Sequence, residues 1–416
     1  MEQPTTTQLT NPLDRDTTKI QLSLLEADQR AFWDSFVAAA THGHVLQSWG
    51  WGELKAAFGW RVVRVALWDS DRRQVLAGAQ ILFRSIPFTP LSVAYIPKGP
   101  VLDWSDTALC QRFFQELHPL LRARHAALLR VDPDLPEYIS LPDADSVEDK
   151  GKSAQRDADG ADPGDTFADV YRAAEGVGVA RQLRALGFRP VEDSIQPRRT
   201  IAVDLTPDER TIALHQKPKW RYNAGLAARK GVTVRVATSV GDVRRWYALL
   251  QVTGQRDRFG VHTFDYYEYA WKTFGEQARL LLAEHEGKLL AGIFVTLVGR
   301  ESIYLYGASS NEGRSLMPNH LLQWEAMRWA KAQGATLYDL WGVAESEDPN
   351  DPLAGVYRFK RGWGGKMIRY IESFDYVYSP LIYSGITLGR SLLKQGAAVR
   401  ARRQKSVGDA GADRGQ

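Results

Sequence analysis

The sequence predicts an α/β (α+β) chain folded as two domains of similar internal order, and three observations carry that expectation. Its 416 residues exceed the roughly 250–300 that one hydrophobic core usually serves. Strand and helix signals alternate along most of the chain, as in sheets covered by helices. The block order then recurs after a strong helix start near residue 206, though without a strict sequence repeat. A composition of 44% apolar and 25% charged residues excludes a disordered or fibrous chain.

Residues 1–18, rich in Thr, Gln and Asp, read as a disordered N-terminus. Strand and helix signals alternate over 20–70, with Ala31–Ala40 the first clear helix. Arg61–Trp68, Val75–Phe83 and Val93–Tyr95 are strands, because β-branched and aromatic residues fill them and turn formers bound them. Helix Thr107–His125 leads to the short apolar strand Ala127–Val131, stopped by Asp132-Pro133. From Leu141 to Asp165 eight acids face three bases with no aromatic residue, so this stretch reads as a disordered acidic insertion. The sheet-like pattern resumes at Leu183–Phe188 and Thr200–Leu205, giving a first domain over 19–205.

Thr206-Pro207-Asp208-Glu209 offers a capping threonine, proline at the first helical position and first-turn acids, so the second domain, 206–371, starts there. Helices across 208–230 follow, then strand Thr233–Ala237, helices Gly241–Thr253 and Thr263–Phe274, and strands Ala278–Glu284, Lys288–Val298 and Glu301–Ser309. Helix His320–Gln333, strand Thr336–Leu340 and a glycine-rich segment after Arg361 complete it.

Charge and cysteine usage bound the partners. The formal charge of +4 is too small to imply nucleic-acid coating by itself. Cys110 is the only cysteine, so neither an intrachain disulfide nor a thiolate metal site is available. The eight histidines show no HExxH spacing. The polar N-terminus lacks a signal-peptide apolar run and no stretch is long enough to span a membrane, so a cytoplasmic protein is expected. Thirteen tryptophans suit a broad binding cleft as well as a core.

Six strings carry a more specific signal: Gln47-Ser48-Trp49-Gly50-Trp51-Gly52-Glu53-Leu54-Lys55, Tyr95-Ile96-Pro97-Lys98-Gly99-Pro100-Val101, Thr253 with Arg256-Asp257-Arg258-Phe259, Tyr304-Leu305-Tyr306-Gly307-Ala308-Ser309, Tyr338-Asp339-Leu340-Trp341-Gly342-Val343, and Phe359-Lys360-Arg361-Gly362-Trp363-Gly364-Gly365. In this order, over roughly residues 45–375, they resemble the Fem (FemABX) peptidyltransferases. The resemblance implies two tandem acetyltransferase-like (GNAT-like) domains, with segment 372–416 and its basic tail returning to the first. It implies an enzyme that moves an amino acid from aminoacyl-tRNA to the stem peptide of a peptidoglycan precursor, UDP-linked or lipid-linked. Thr206 to Thr233 leaves no room for the coiled-coil arm of some members, so the arm-free type is expected.

That transfer needs a fixed positive donor for a developing oxyanion. Lys360, preceded by Phe359 and followed by the Gly362–Gly365 turn, matches the family's transition-state lysine; a surface lysine beside a turn is the plain competing reading. Lys55 matches a lysine that grips the precursor's phosphates, against a solvated helix face. Tyr304 and Tyr306 alternate on one strand, so both rings are expected on one face; a family tyrosine aligns with one of them, best with Tyr306, and core packing competes for both. Where the family carries an arginine and, four residues later, a tyrosine, this chain has His262 and Tyr266. Neutral histidine lacks the bidentate charge of arginine, and Arg256 or Arg258 can compensate. Asp132 aligns with an acid considered as a base, although Asp before Pro is ordinarily a turn former.

No metal and no bound cofactor are expected. The basic clusters Lys217, Lys219, Arg221, Arg229, Lys230 and Arg390, Lys394, Arg400, Arg402, Arg403, Lys405 suit a phosphate backbone or peripheral contact with the inner membrane surface, or are solvated helix faces. DNA is not expected as a partner, and a monomer is. An acetyl-CoA-dependent N-acetyltransferase is the rival enzyme. Its pyrophosphate turn should read Arg/Gln-x-x-Gly-x-Gly/Ala, and Arg314-Ser315-Leu316-Met317-Pro318-Asn319 departs from it. The later glycine run has aromatic Phe359 where Arg or Gln is needed. A non-catalytic tRNA- or precursor-binding protein would keep the fold without the reaction, and a transferase that tags proteins would differ only in its acceptor.

Overall fold

Why one chain of this composition yields two linked cores is visible in its strand pairing. The computed structural model describes residues 20–142 except 70, 72 and 73, and residues 167–389 except 192, 258, 346, 347, 349, 350 and 352. The strands are β1 (Ile20–Leu24), β2 (Arg61–Asp69), β3 (Gln74–Ser85), β4 (Ser92–Ile96), β5 (Val101–Leu102), β6 (Ala126–Val131), β7 (Pro136–Pro142), β8 (Phe167–Arg172), β9 (Arg189–Val191), β10 (Arg199–Asp204), β11 (Thr233–Val236), β12 (Ala278–His285), β13 (Lys288–Val298), β14 (Glu301–Ser309), β15 (Leu337–Gly342), β16 (Lys366–Tyr370) and β17 (Ser373–Val377). The helices are α1 (Arg30–Ala39), α2 (Trp49–Ala57), α3 (Thr107–Ala123), α4 (Ala174–Ala185), α5 (Glu209–His215), α6 (Pro218–Arg229), α7 (Val240–Asp257), α8 (Phe264–Phe274), α9 (Pro318–Ala332) and α10 (Ala354–Arg361), with a further helical stretch over 380–389.

Among these residues the strands form two sheets. The first runs β1-β2-β3-β4-β6-β17-β9, with β5 on β3; the second runs β11-β12-β13-β14-β15-β10-β16-β7-β8. Pairing is antiparallel except for β4 with β6 and β14 with β15. One core lies between the first sheet and α3 and α4 (Phe113, Phe114, Leu117, Leu183). A second lies between the second sheet and α9 (Leu322, Ala326, Met327). The third is shared: Trp33, Trp49, Trp51 and Leu54 of α1 and α2 pack with Trp246, Tyr266 and Phe294 of the second half.

The sheets exchange strands across the boundary expected at 205/206. β10 lies in the second sheet between β15 and β16, and β7 and β8, which flank the acidic stretch, continue that sheet. β17 then returns to the first sheet beside β6. Most of the acidic stretch, the first nineteen residues and the basic tail from Arg390 lie outside the described residues.

Two local readings are corrected. Leu183–Phe188 is not a strand: Leu183, Arg184 and Ala185 end α4, whose apolar Val179, Ala180 and Leu183 recur at helical spacing and are buried. The cap before α5 is Asp208, whose carboxylate accepts from Thr211 N, while Thr206 bonds back to Asp204. Asp outcompetes the threonine because its carboxylate lies three residues before the free amide. Between β10 and β11 the chain forms only α5 and α6, so there is no coiled-coil arm. No helix among the described residues is long and apolar enough to cross a membrane.

Candidate active site

Two lysine sites are built where the halves meet and just behind that contact. The first begins with Ser48, whose hydroxyl accepts from Trp51 N and so starts α2. Near the other end of this helix Lys55 Nζ donates to Tyr266 Oη at 2.8 Å and lies 4.3 Å from the Trp51 ring centre. Tyr266 Oη is 3.4 Å from Tyr306 Oη, and the His262 ring stacks on Tyr266 at 4.0 Å. Burial brings the Lys55 amine down to about 8 and pushes the Tyr266 phenol up to about 12. Desolvation, then the Lys55 charge, holds His262 below its usual value, so it is neutral at pH 7. Lys55, His262, Tyr266 and Tyr306 therefore form one cluster across the two halves.

Tyr304 does not join them. In the β13–β14 register Phe294 faces Tyr306 and Val295 faces Tyr304, which leaves Leu305 as the extra residue of a bulge. The bulge breaks the two-residue alternation, so Tyr306 packs into the shared core and Tyr304 into the core of the second half. The expectation that both rings share a face is thereby overturned.

Tyr304 meets the second lysine instead. Lys360, on α10 and 7% exposed, donates to Gly342 O at 2.7 Å and Trp341 O at 3.2 Å, with Nζ 5.6 Å from the Tyr304 ring centre. Burial brings this amine down to about 8, opposed by the nearby Asp339 charge. The accepting carbonyls are aimed by Trp341, a non-glycine residue at φ +60°. Asp339 Oδ1 holds it there by accepting from Trp341 N at 2.5 Å and from the Thr200 hydroxyl. Asp339 and Thr200 were missed by sequence reasoning. Asp339 stands inside the Tyr338–Val343 string, but nothing in that string shows that its carboxylate supports a lysine carried by a later helix.

The neighbouring positions divide. Phe359 faces away from the amine, its ring 5.3 Å from His320 and 6.0 Å from Trp363, and its carbonyl accepts from Trp220 Nε1. The glycines after Lys360 do not open a path for substrate. A Cβ on Gly362 would stand 2.1 Å from the Trp220 indole, and one on Gly364 2.0 Å from His215 O, so α5 and α6 fill that space. Asp132 directly follows β6, is buried, and accepts from the Tyr95 hydroxyl, to which Gln196 also donates at 3.0 Å. Burial raises its pKa, against the Ser373 and Tyr95 hydroxyls. Its hydrogen bonds join it to the segments that cross between the sheets rather than to either lysine. Close by, Lys98 pairs with Asp134 at 2.9 Å and lies 3.2 Å from the Tyr370 ring centre.

Arg256 is committed to Asp257, Ser309 O and Asn311, which fastens α7 to the end of β14; Arg258 lies outside the described residues. The turn before α9 suits a pyrophosphate poorly, because Met317 N is bonded to Arg314 O and Pro318 has no amide hydrogen. Among the described residues no group of three His, Cys, Asp or Glu side chains could hold a metal ion.

Comparison with known proteins gives the family and the fold. The model of the FemAB family matches residues 29–288 and 284–390. The chain is 27% identical to a lipid II:glycine glycyltransferase of Staphylococcus saprophyticus, over 84% of this chain and 92% of that one. It is 25% identical to the protein of the same name from Staphylococcus haemolyticus, with the same coverage. Among solved structures, FemX superposes with a TM-score of 0.73 at 23% identity, over 88% of this chain and 99% of that one, so the fold is shared.

Proposed function

The chain belongs to the FemAB family, and from that premise we propose that it transfers an amino acid from aminoacyl-tRNA to the stem-peptide amine of a peptidoglycan precursor, building an interpeptide bridge in the cytoplasm as a monomer. The observation that carries this reading is the buried Lys360 ammonium. Two of its three donors are taken by the Trp341 and Gly342 carbonyls, which leaves one for a developing oxyanion in a dry site. The acceptor amine attacks the ester carbonyl, the C–N bond forms as the C–O bond to the ribose breaks, and the amine's proton ends on the ribose hydroxyl. No covalent enzyme intermediate is needed. To the Lys55 cluster we assign the grip on the precursor's diphosphate, supported by a lysine amine with the Tyr266 and Tyr306 hydroxyls close by. Phe359 and Asp132 serve as positioning groups, Phe359 by fixing α10 against α6 and Asp132 by tying the crossing segments.

The staphylococcal relatives make glycine and lipid II the first donor and acceptor to test. Purified protein would be incubated with a panel of labelled aminoacyl-tRNAs and both precursor forms, alongside Lys360→Ala. Label should move to the stem peptide from one donor, and the substitution should abolish it. Transfer from acetyl-CoA instead, or undiminished transfer in Lys360→Ala, would overturn the proposal.

A further inference from the structure

One end of the first sheet is free of acids. Four segments meet there: 55–64, which contains the turn from α2 into β2; 82–97, the β3–β4 hairpin; 117–131, where α3 turns into β6; and 376–389, which follows β17. None contains Asp or Glu, and together they carry Arg61, Arg84, Arg122 and Arg124. Pairing brings the segments together: Ser92 lies opposite Ala126, Arg61 opposite Phe83, and Tyr378 N and Ser379 N both donate to Ala127 O. Arg61 reaches Arg124 O, Arg84 reaches the Phe58 and Gly59 carbonyls, and Arg122 lies over the Tyr378 ring. The nearest acids are Asp375, buried and paired with Arg130 beneath the 380–389 stretch, Asp193, which lines a cavity with them, Glu26 and Asp28 after β1, and, on α8 beyond Phe58, Glu268 paired with Lys272.

Two apolar side chains protrude from this end. Phe88, at the tip of the β3–β4 hairpin, is fully exposed with φ +62°, and Leu381, at the start of the helical stretch 380–389, is 88% exposed. Leu388, one heptad on, is 62% exposed, while the half-buried Tyr383 and Ile386 line that cavity with Val93, Leu128 and Arg130. Large apolar side chains ringed by arginine and free of acid match the interface of an anionic bilayer, which takes the apolar tips among its acyl chains and the guanidinium groups among its phosphates. A nucleic acid would engage the arginines and could stack a base on Phe88, but it would leave Leu381 and Leu388 in water.

We infer that this end of the first sheet docks on an anionic lipid surface through Phe88, Leu381 and the surrounding arginines. The docked edge lies close to the Lys55 cluster: the Lys55 carbonyl accepts from Phe58 N and Trp60 N, and the Phe58 ring packs on Tyr266 at 5.0 Å. If the chain is the transferase proposed above, docking sets the diphosphate grip at headgroup height, which suits a lipid-linked acceptor.

The test is flotation of the full-length protein with vesicles of phosphatidylcholine alone and with added phosphatidylglycerol, at low and high salt, with no donor or acceptor present. Binding to the anionic vesicles that weakens with salt is expected. Phe88→Ser/Leu381→Ser should bind them at least about tenfold more weakly, with an unchanged melting temperature and unchanged transfer to a water-soluble acceptor. Wild-type protein that ignores anionic vesicles, or a double variant that binds as wild type does, would overturn the inference. So would Arg61→Glu/Arg122→Glu that loses tRNA binding yet floats normally, since the edge would then be a nucleic-acid surface. Because flotation uses no substrate, its failure and the failure of the transferase reading are separate results.

Discussion

Lys360 is useful only while charged, and the side chains around it set how long it stays so. Burial alone favours the neutral amine, and the Asp339 carboxylate opposes that. With an amine at about 8, transfer should fall as pH rises through that value, because the oxyanion donor is lost on deprotonation. Asp339→Asn keeps an oxygen for Trp341 N and the Thr200 hydroxyl but removes the charge. The descending limb of kcat/KM should move to lower pH by about half a unit to one unit, with little change in KM for the acceptor. An unmoved limb would show that Lys360 does not feel this carboxylate. At the other lysine, His262→Arg places a permanent charge where a neutral ring now stacks. It should lower the acceptor KM several-fold at low salt, as initial-rate kinetics would show, and leave kcat unchanged. At this scale the sequence was legible for residue type and not for direction. The strings marked Lys55, Tyr306 and Lys360, and the family's arginine–tyrosine spacing marked Tyr266, yet the extra residue Leu305 in β14 cannot be seen in a two-residue alternation, so Tyr304 was placed on the wrong face.

Among the elements, α2 shows how a glycine pattern becomes a geometric requirement. Gln80, wholly buried, donates to the Leu46 and Ser48 carbonyls and accepts from Arg64 Nε, while Gln47 bonds Gln80 N and Pro97 O. This network fixes the start of α2 on the sheet, and Gly52 presses against it: a Cβ there would meet Gln80 Oε1 at 2.1 Å and Arg64 Nη2 at 2.4 Å. Gly52→Ala should therefore cost about 1–3 kcal/mol by denaturant unfolding, through overpacking of a buried polar network. It should also raise the acceptor KM, because Lys55 lies one helical turn further on. A stable variant with normal KM would mean that the network yields without moving the helix. The Gln47-Ser48-Trp49-Gly50-Trp51-Gly52 string was legible as a resemblance and not as a helix start, although its serine caps α2 and its tryptophans pack. The reason for glycine at 52 lies on β2 and β3, and spacing along one helix cannot reveal it.

The whole molecule resists division at the point where its sequence invites a cut. The helix start after Thr206 is real, and α/β order does resume there, but pairing between strands distant in sequence is not written in local patterns. β10, before that point, supplies the strand between β15 and β16; β7 and β8 extend the same sheet; β17, far beyond it, lies between β6 and β9 of the other. The segments that cross between the sheets are fastened to one another. Arg198 bonds Glu137 and the Tyr370 carbonyl, Arg130 holds Asp375 in a buried bidentate pair, and Lys98 pairs with Asp134 beneath Tyr370. With a core also shared between the halves, neither can bury its apolar surface alone. A fragment of residues 206–416 should then fail to fold, since β15 would lose one neighbour, β16 would lose both, and the inner faces of α7 and α8 would be left in water. The full chain should melt in one calorimetric transition, with agreement between calorimetric and van't Hoff enthalpies. A 206–416 fragment with a cooperative melt and dispersed amide resonances, or two separable transitions in the full chain, would instead make the halves independent domains. The Lys55 cluster would then depend on a docking equilibrium rather than on the covalent weave of the two sheets.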